Sequence, residues 1–552
     1  MRIKTLIFAK FRVDICVDSL LSIMFSRVYS AQINLLKGQI ISVETDHSFG
    51  GIPNFSLVGL PDKAVDEARE RVSSALKNSE LPSTKDRSQK TVVSLAPAEI
   101  KKEGSSFDVA IALSYLLSSR QAFFNPEGKI FVGELSLNGE IQSIHGILPL
   151  VQKAKEDGFK EIYVPCQNAS AAALVSGIKV YAVKDLSELV WGLSDKIVFK
   201  NKPPEEDIVF IRGNDPGFIK LEPLPLTEFK ITTVKSSIDF ADIRGQEGAK
   251  RGLEIAAAGG HNILMFGPPG TGKTMLAKAF TGILPGLSFD EALEVTGIHS
   301  ISGTDKEIIL TNPPFRAPHH TSSYASIVGG GSSSRPGEVT LAHRGVLFMD
   351  EFPEFDRRVV ESLRQPLEER YISISRAKTS GIFPANFILV AAMNPCPCGY
   401  QNTKIKPCTC TASDLAKYKR KLSGPILDRI DLSISVENVD CKKLSEMPSG
   451  EKSSDIRKRI KKARAIQHER FQKMSRSIKT NSEMNVKDLD SILIKPEAKN
   501  ILIESAKKFS LSPRAYHRTL KLARTIADLD EKEEIESHHV LEAVQYRQRL
   551  NF

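Results

Sequence analysis

The most constraining feature of this sequence is a glycine-rich loop that directly follows a short apolar run. Residues 263–266 predict a buried parallel strand, and the segment Gly-Pro-Pro-Gly-Thr-Gly-Lys-Thr follows at once. Glycines let backbone N–H groups close around phosphate oxygens, and the N-terminus of the next helix attracts negative charge. We therefore predict a nucleotide site in which Lys273 reaches the β- and γ-phosphates and Thr274 binds Mg²⁺. The predicted phosphate-binding residues are Gly267, Pro268, Pro269, Gly270, Thr271, Gly272, Lys273 and Thr274.

Length and composition bound the remaining possibilities. A chain of 552 residues exceeds one compact core and predicts about three or four domains. The 76 Lys and Arg residues outnumber 66 Asp and Glu, and the net charge of +10 suits a polyanionic partner or an ordinary basic surface. No stretch reaches the roughly 18–20 uninterrupted apolar residues of a membrane span, so we expect a cytoplasmic protein with no membrane partner.

The chain is predicted to be an α/β protein with several segments. Residues 1–23 carry charges that interrupt any signal-peptide core, and with Met24 as an alternative start we interpret them as a non-native extension. Residues 24–195 mix strand-like runs with amphipathic helices, one of them between Lys63 and Ser79. We predict a linker over residues 196–237, a second α/β unit over 238–435 and a charged helical region over 436–552.

Polar side chains follow two further predicted strands. The apolar run 346–349 ends at Asp350 and Glu351, and the run 387–393 ends at Asn394. Parallel strands bring their carboxyl ends to one edge of a sheet, where such folds bind ligands. We expect Asp350 to order Mg²⁺, Glu351 to orient or deprotonate the attacking water, and Asn394 to position that water. The alternative is a pair of solvated acids at a strand end.

Several motifs carry a resemblance to a known family, namely those at residues 239–246, 316–320, 328–331 and 337–343. This set resembles the magnesium chelatase-like AAA+ ATPases, and in detail it is closest to their ComM (YifB) branch. The resemblance implies a P-loop core with a parallel sheet, a helical lid, and ATP with Mg²⁺ as cofactors. It also implies a homohexameric ring that acts as a helicase on single-stranded or branched DNA, in branch migration during natural transformation and homologous recombination.

Three arginines acquire roles from the same resemblance. The segment 423–431 resembles the one that presents an arginine finger to the next subunit, which implies this role for Arg429. Its alternative is a surface ion pair with Asp428 or Asp431. The segment that begins at Ser512 resembles the second sensor of the AAA+ lid, so Arg514 is expected to touch the γ-phosphate of its own subunit. Arg518, one helical turn later, is a competitor for that role.

Candidate DNA contacts also come from the resemblance. The long interval between Lys273 and Asp350 is what an extra insertion in the second helix of the core would produce, and such insertions line the pore of ring helicases. Tyr324, Arg335 and His343 fall in it. Arg376 and Lys378 precede the Asn394 strand, where a second hairpin is implied. We select Tyr324, Arg335 and Lys378 as DNA contacts, with solvated loop side chains as the alternative.

The amino-terminal segment resembles the proteolytic domain of Lon, an α+β fold. Residues 102–106 resemble the loop that bears the serine nucleophile of Lon, and residues 132–140 the strand pair before its lysine. A serine hydroxyl needs an adjacent base to act as a nucleophile. Leu150 occupies the aligned lysine position and Lys153 lies about one helical turn away, so we expect no proteolysis.

Four of the seven cysteines lie close together in the sequence, at positions 396, 398, 408 and 410. This spacing suits a metal site more than a disulfide framework, and four thiolates suit tetrahedral Zn²⁺. Free or redox-active cysteines are the alternative. A closed site of this kind would be structural, because it leaves no open coordination position. The predicted zinc ligands are Cys396, Cys398, Cys408 and Cys410.

Two questions stay open at the level of sequence. Residues 452–479 are rich in Lys and Arg, and a helix there presents either a solvated basic face or a DNA contact opposite Ile456, Ile460 and Ala463. A chelatase-type motor that inserts a metal into a tetrapyrrole, or an ATP-dependent protease, are alternatives to the DNA motor. Retention of the Lon-like domain argues against the first, and Leu150 argues against the second.

Overall fold

The chain divides into two compact units, residues 1–228 and 229–552, each described by itself. The computed structural model describes residues 25–49, 54–81, 83–84, 89–102, 104–194, 196–198, 208–210, 220–229, 238–302, 309–330, 335–375, 380–401, 406–422, 424–438 and 448–548. Residues 1–23, predicted to be a non-native extension, lie outside these ranges. Over the described part, no helix combines the length and the apolar character that crossing a bilayer requires.

The first unit is built on a mixed seven-stranded sheet. Its central hairpin pairs Phe25–Asn34 with Lys37–Phe49 in antiparallel register. Across the sheet the strands follow the order Lys179–Val183, Glu161–Pro165, Lys129–Phe131, Phe25–Asn34, Lys37–Phe49, Gln89–Ala96 and Asn54–Val58. A short hairpin joins Glu134–Leu135 to Ile141–Gln142. The mixed α/β character predicted for this segment is confirmed, whereas the likeness to Lon stays a prediction.

Helices cover this sheet and complete its core. They are Lys63–Asn78, Asp108–Ser118, Ile147–Glu156, Cys166–Ala172 and Leu186–Leu193. The helix predicted between Lys63 and Ser79 is confirmed, and it buries Val65, Ala68, Val72, Ala75 and Leu76 on one face. Asp108–Ser118 is buried along nearly its whole length and packs on the central hairpin, as its mostly apolar sequence requires.

The predicted linker is partly structured. Lys196–Val198 pairs with Ile208–Phe210 and with Ala122–Phe123 in a small antiparallel sheet. Further on, the N–H of Leu224 donates to the carbonyl of Val180 at 2.8 Å, and the N–H of Thr227 to that of Ala173 at 3.0 Å. The first part of the expected linker therefore belongs to the first unit. Prolines and mixed polarity hid these short pairings, because an edge strand of three residues has no readable periodicity.

The second unit contains a five-stranded parallel sheet. Its order is Phe315–Arg316, Val346–Met349, Ile388–Met393, Ile263–Phe266 and Leu432–Ser435, and every neighbouring pair is parallel. The three predicted strands of this unit are confirmed. Their side chains are almost all buried, as expected of strands covered on both faces. Two hairpins project from this core, Gly329–Gly330 with Arg335–Pro336 and Tyr371–Ser375 with Ser380–Pro384.

Helices surround the parallel sheet and continue to the carboxyl end. Those of the core are Glu247–Gly259, Lys273–Ile283, Phe289–Ser302, Tyr324–Val328, Glu338–Leu341, Arg357–Ser362, Arg364–Glu369, Ala412–Lys421 and Gly424–Leu427. Those of the carboxyl-terminal region are Ser453–Lys473, Val486–Asp490, Pro496–Lys508, Pro513–Leu529 and Ser537–Gln548. The helical character predicted for the carboxyl-terminal region is therefore observed across its described residues.

The basic helix Ser453–Lys473 packs on the core through its predicted apolar face, since Ile456, Ile460 and Ala463 are buried. Several of its cations are bound within the chain. Arg457 Nε donates to the carbonyl of Gly282 at 2.9 Å, and Arg464 Nη2 donates to that of Ala257 at 2.7 Å. These arginines hold the carboxyl-terminal region on the core, which favours the structural interpretation of this helix over a DNA contact.

Candidate functional site

The phosphate loop leaves its strand through a contact that only glycine permits. A Cβ on Gly267 would lie 2.1 Å from the carbonyl oxygen of Val436. Gly270 and Gly272 have φ values of 79° and 89°, in the left-handed region that glycine adopts without strain. Thr271 Oγ1 donates to the carbonyl of Pro268 at 2.9 Å and closes the turn. The helix Lys273–Ile283 then begins with its N-terminus directed at the loop, which is the geometry of an anion site.

Lys273 lies inside this loop. Its Nζ donates to the carbonyls of Gly267 at 2.7 Å and Pro268 at 2.8 Å, and to Oδ1 of Asn394 at 3.1 Å. Burial lowers the pKa of Lys273, against the opposing effect of Asp350 and Glu351. The ammonium is thus held by neutral oxygens at the place where phosphates would bind, and it can exchange these partners for phosphate oxygens.

A hydroxyl and a carboxylate that suit Mg²⁺ meet beside the loop. Thr274 Oγ1 donates to Oδ2 of Asp350 at 2.7 Å. The other oxygen of Asp350, Oδ1, accepts from the N–H of Glu351 at 3.0 Å. A hydroxyl and a carboxylate at the end of a phosphate loop are the protein oxygens that hold Mg²⁺ in P-loop enzymes, and the remaining positions go to water and phosphate. These residues therefore fit the metal.

Glu351 and Asn394 complete the carboxyl edge of the sheet. The backbone of Glu351 is left-handed, with φ 50°, which is rare for a residue with a side chain. The main chain of Asn394 accepts a hydrogen bond from the hydroxyl of Tyr418 at 2.9 Å, while its side chain meets Lys273. The contacts thus bring together five predicted site residues, which are Lys273, Thr274, Asp350, Glu351 and Asn394.

Sequence reasoning missed His320. Its Nδ1 lies 3.4 Å from Oε2 of Glu351. His320 closely follows the strand Phe315–Arg316, which pairs with the strand that delivers Asp350. The signal was present in the motif at residues 316–320, because a residue after the neighbouring strand reaches the same edge of the sheet.

Arg429 lies at the opposite side of the parallel sheet from the phosphate loop, where the strands have their amino ends. Its carbonyl accepts from Nδ2 of Asn262 at 3.2 Å, and Asn262 immediately precedes the phosphate-loop strand. Four strand residues at about 3.3 Å each separate this edge from the loop by about 13 Å. The guanidinium donates to the carbonyl of Pro425 at 2.6 Å and forms an ion pair with Glu368. The partner is thus Glu368, and neither of the aspartates considered in the sequence.

The placement of Arg514 corrects the expectation that it touches the γ-phosphate of its own subunit. Arg514 forms an ion pair with the same Glu368, at the edge remote from the phosphate loop. The sequence could not reveal this, because the sheet edge that receives the lid is decided by tertiary packing. Arg518 lies there too, donating to the carbonyl of Arg429 at 2.8 Å and to Oδ1 of Asp431 at 2.5 Å. Arg518 is therefore engaged in holding the lid on the core.

Asp431 explains why Arg518 is fixed. Burial would raise the pKa of this carboxyl, but Arg518 and His261 hold it well below its usual value. Its Oδ2 also accepts from the N–H of Asn262 at 3.0 Å. A buried carboxylate with these partners requires Arg518 as its counter-charge.

The four predicted zinc ligands lie together just beyond Asn394. Their sulfur atoms are all within 4.8 Å of one another, with separations of 3.3 Å for Cys396–Cys398, 3.7 Å for Cys396–Cys408 and 3.5 Å for Cys398–Cys408. Four sulfurs about 2.3 Å from one ion would form a tetrahedron with edges of about 3.8 Å. Backbone N–H groups of Tyr400 and Thr409 lower the pKa of Cys398 to about 5, whereas burial and the neighbouring sulfurs raise the pKa of Cys408 and Cys410. The donor set therefore fits Zn²⁺.

The cysteine loop packs directly on the phosphate loop. A Cβ on Gly399, whose φ is 85°, would lie 2.7 Å from Cδ of Pro269 and 4.0 Å from Cγ of Asn394. Cys396 itself is buried. The two loops are thus in contact where glycine leaves no side chain between them, and the fold of one supports the position of the other.

The predicted DNA contacts are only partly described. Tyr324 begins the helix Tyr324–Val328, and 49% of its side chain is exposed. The backbone of Arg335 lies in a hairpin, but its side chain falls outside the described residues, as do Arg376 and Lys378. His343 is buried instead, with Nε2 3.1 Å from Oε1 of Glu294.

The expected protease features are also placed. The hydroxyl of Ser106 donates to the carbonyl of Ala31 at 3.1 Å. Leu150 is buried in the helix Ile147–Glu156, and Lys153 on the same helix pairs with Asp157 at 2.7 Å. The side chain of Lys102 is buried, which lowers its pKa, and its ammonium donates to the carbonyl of Pro97.

Comparisons with known proteins agree with these features. Family models match in three places, as magnesium chelatase subunit ChlI over residues 239–444, subunit ChlI of Mg-chelatase over 43–168, and the carboxyl-terminal region of ChlI over 450–547. Competence protein ComM of Haemophilus influenzae is 40% identical over 529 residues, which are 94% of this chain and 97% of that protein. Uncharacterized protein YifB of Escherichia coli is 38% identical over 92% of this chain and 94% of its own length. The magnesium-chelatase 67 kDa subunit of Chlorobaculum parvum is 30% identical over 29% of this chain and 23% of its own length.

Proposed function

This chain belongs to the ComM and YifB family of magnesium chelatase-like ATPases, and we propose that it is an ATP-driven motor that moves or unwinds DNA. One observation carries the proposal. Lys273, Thr274, Asp350, Glu351 and Asn394 converge at the carboxyl edge of a parallel sheet in a chain that is similar to ComM over nearly its whole length. Branch migration in natural transformation and homologous recombination is the process that we assign to it.

The chemistry at this edge is ATP hydrolysis. Thr274 and Asp350 would hold Mg²⁺, which when bound would neutralise the negative charge of the β- and γ-phosphates. Lys273 binds the same phosphates in the ground state. Glu351 and Asn394 orient water for in-line attack, and Glu351 accepts its proton. The loop amides and the N-terminus of the helix Lys273–Ile283 supply the remaining stabilisation.

The positions of three cations suggest that subunits assemble into a ring. Lys273 lies at the carboxyl ends of the parallel strands, whereas Arg429 and Arg514 lie at the amino ends. These arginines are therefore too far from the phosphate loop of their own subunit to stabilise the transition state of hydrolysis there. A head-to-tail contact would bring the arginine edge of one subunit to the phosphate edge of the next, and repeated contacts of this kind close into a cyclic assembly. We infer that Arg429 acts as an arginine finger in trans with Arg514 beside it, in a homohexamer.

DNA is the proposed substrate. Tyr324 offers an exposed aromatic ring on which bases can stack without regard to sequence. Arg335 and Lys378 are the proposed phosphate contacts, and the net charge of +10 favours a polyanion. These residues would transmit the work of hydrolysis to a single strand or to a branched junction.

The alternatives have weaker support. Family models of subunit ChlI match residues 43–168, 239–444 and 450–547, but the magnesium-chelatase 67 kDa subunit aligns with 29% of this chain, against 94% for ComM. For proteolysis the Lon-like site would need a lysine beside Ser106, but Leu150 is buried and Lys153 is paired with Asp157. We therefore place neither metal insertion nor proteolysis first.

We also propose a structural Zn²⁺ bound by Cys396, Cys398, Cys408 and Cys410. Its support is the close packing of four sulfurs and the contact between Gly399 and Pro269. Such an ion would fix the cysteine loop against the phosphate loop without taking part in hydrolysis, because four thiolates fill a tetrahedral site.

The deciding experiment is ATPase activity with no DNA and with single-stranded, duplex and branched DNA. We expect DNA to stimulate ATP turnover. The stimulation should be strongest for whichever of the three DNA structures the motor binds. A protein that hydrolyses ATP but responds to none of these DNAs would overturn the DNA proposal. A response to a tetrapyrrole partner instead would support the chelatase alternative.

A further inference from the structure

The first unit carries an open groove lined by aromatic rings and guanidinium groups, in a part of the chain to which the proposed function assigns no role. Its cavity volume is about 750 Å³, within the range of pockets that bind small organic ligands. All its lining residues belong to the first unit, whereas the phosphate loop belongs to the second. We call it the aromatic groove, defined by the lining residues Phe25, Arg27, Tyr29, Arg120, Phe123 and Phe124.

One side of the aromatic groove is formed by the strand Phe25–Asn34. Alternate residues of a strand point to the same face, so Phe25, Arg27 and Tyr29 follow one another at intervals of about 6.8 Å. Val28 is buried on the opposite face. The guanidinium of Arg27 lies over the ring of Phe25, 5.9 Å from its centroid, and Phe25 is 45% exposed. This side therefore presents an aromatic ring, a cation and a second ring in one line.

The other side of the aromatic groove follows the helix Asp108–Ser118 and contributes Arg120, Phe123 and Phe124. The ring of Phe124 meets that of Phe131 edge-on, with centroids 6.0 Å apart, and Phe131 is fully buried. The backbone of Phe123 is held in the small antiparallel sheet of the first unit. Both aromatic residues are thus anchored before any ligand binds, which reduces the entropy cost of binding.

This combination of rings and guanidinium groups suits a single-stranded nucleic acid. Every base has a π-face that can stack on an aromatic side chain, and guanidinium groups bind phosphate oxygens, so neither contact requires a particular base sequence. Arg27 already binds an anionic group, because its Nε donates to Oε1 of Glu44 at 2.8 Å. An exposed pair of this kind contributes little to stability, so Arg27 can exchange Glu44 for a phosphate. A proline-rich peptide would also pack on the rings, but it would leave the two arginines without a role.

We propose that the aromatic groove binds single-stranded nucleic acid, with bases on Phe25 and Phe124 and phosphates on Arg27 and Arg120. The inference goes beyond the proposed function, because the ATPase core contributes no residue to this site. The groove is a second site, in addition to the proposed DNA contacts of the second unit. A strand long enough to reach both sites would be held more tightly than by either alone, through the effective concentration that the chain imposes.

The test measures the Kd of labelled oligodeoxythymidylate and oligouridylate for the full chain in the absence of ATP. Every variant is made in a background that removes the proposed contacts of the second unit, with Tyr324→Ala, Arg335→Glu and Lys378→Glu. We expect this background to retain salt-sensitive binding of the single strands. Within it, Phe25→Ala should raise Kd roughly 5- to 100-fold, the effect of losing one stacked base. Leu137→Ala, at an apolar residue of the same unit that is 58% exposed, is the control and should leave Kd unchanged.

Arg27→Ala distinguishes the phosphate contact from stacking. Loss of one phosphate contact to a single strand should lower the slope of log Kd against log salt concentration by about 0.7, whereas Phe25→Ala should leave that slope unaltered. Arg69→Ala is the matched control. Its side chain is 53% exposed and pairs with Glu70, whereas that of Arg27 is 51% exposed and pairs with Glu44.

The outcomes separate this site from other interpretations. Equal Kd values for the background, Phe25→Ala and Arg27→Ala would overturn the proposal. Binding of a proline-rich peptide that Phe25→Ala weakens, without binding of either oligonucleotide, would overturn it in favour of a peptide site. Similar affinity for both oligonucleotides supports recognition of bases and phosphates alone, and a preference for oligouridylate would assign the groove to RNA. Failure of DNA to stimulate ATP turnover would end the motor proposal but leaves this measurement intact, because ATP is absent from it.

Discussion

Arg429 and Arg514 bind opposite oxygens of one carboxylate, that of Glu368. Two guanidinium groups this close would repel each other without it, so Glu368 holds them side by side on one surface. The surface lies at the amino edge of the parallel sheet, remote from the phosphate loop. If a neighbouring subunit places its nucleotide against this surface, both arginines can reach that nucleotide. To do so they would break their ion pairs with Glu368.

Removal of Arg429 should therefore separate binding from hydrolysis. We expect Arg429→Ala to bind nucleotide normally and to lose at least about 100-fold in kcat, since an arginine finger stabilises only the transition state. Mixing it with Lys273→Ala subunits should restore part of the activity, because some interfaces then combine an intact finger with an intact loop. Arg420→Ala, an exposed arginine on the helix Ala412–Lys421, is the control. Inactive mixed rings, once mixing is demonstrated, would argue against action in trans.

Two substitutions at the carboxyl edge should have different effects. Lys273→Ala is expected to abolish nucleotide binding and turnover, because this ammonium contacts the phosphates in the ground state. Glu351→Gln should keep binding and lower kcat by roughly 100-fold or more, because it removes the group that activates water. Binding is measured with a fluorescent nucleotide and turnover by phosphate release, with Lys278→Ala on the same helix as the control. Normal turnover in either variant would remove these assignments.

Purified protein should contain about one zinc ion per chain. Cys408→Ser is expected to lower the zinc content, and also the ATPase rate and thermal stability, because the cysteine loop contacts the phosphate loop through Gly399 and Pro269. Cys166→Ser, at an exposed free cysteine of the first unit, is the matched control. Metal analysis of protein prepared without chelators decides the matter, and absence of zinc would leave redox-active cysteines as the remaining interpretation.

Charge reversal at the proposed DNA contacts should lower DNA-stimulated turnover and strand displacement without lowering basal ATP hydrolysis. Arg335→Glu and Lys378→Glu are expected to reduce DNA-stimulated turnover and strand displacement, with loss of salt-sensitive phosphate contacts as the cause. Tyr324→Ala should weaken single-strand binding by about 1–3 kcal/mol if a base stacks on the ring. Basal ATPase and ring assembly should change little. Lys220→Glu, whose side chain is 71% exposed, serves as the control, and strand displacement at the unaltered rate in the test variants would exclude these contacts.

The sequence was most informative where chemistry is local. The phosphate loop, the three apolar strands and the residues that end them could be read directly, because a parallel sheet gathers its carboxyl ends at one edge. The position of Arg514 could not be predicted from the sequence. It depends on the ion pair between Asp431 and Arg518, which holds the carboxyl-terminal helices at the amino ends of the parallel strands. His320 escaped notice for a related reason, because its contact with Glu351 joins residues from different strands.

The left-handed backbone at Glu351 has a consequence for evolution and engineering. Judged by folding alone, glycine is the preferred residue at φ 50°, because a side chain there costs about 1 kcal/mol or more. A search for stabilised variants would therefore favour Glu351→Gly and would select an inert protein. Thermostability screens on this chain need activity as a second criterion, since at this position greater stability and catalysis require different residues.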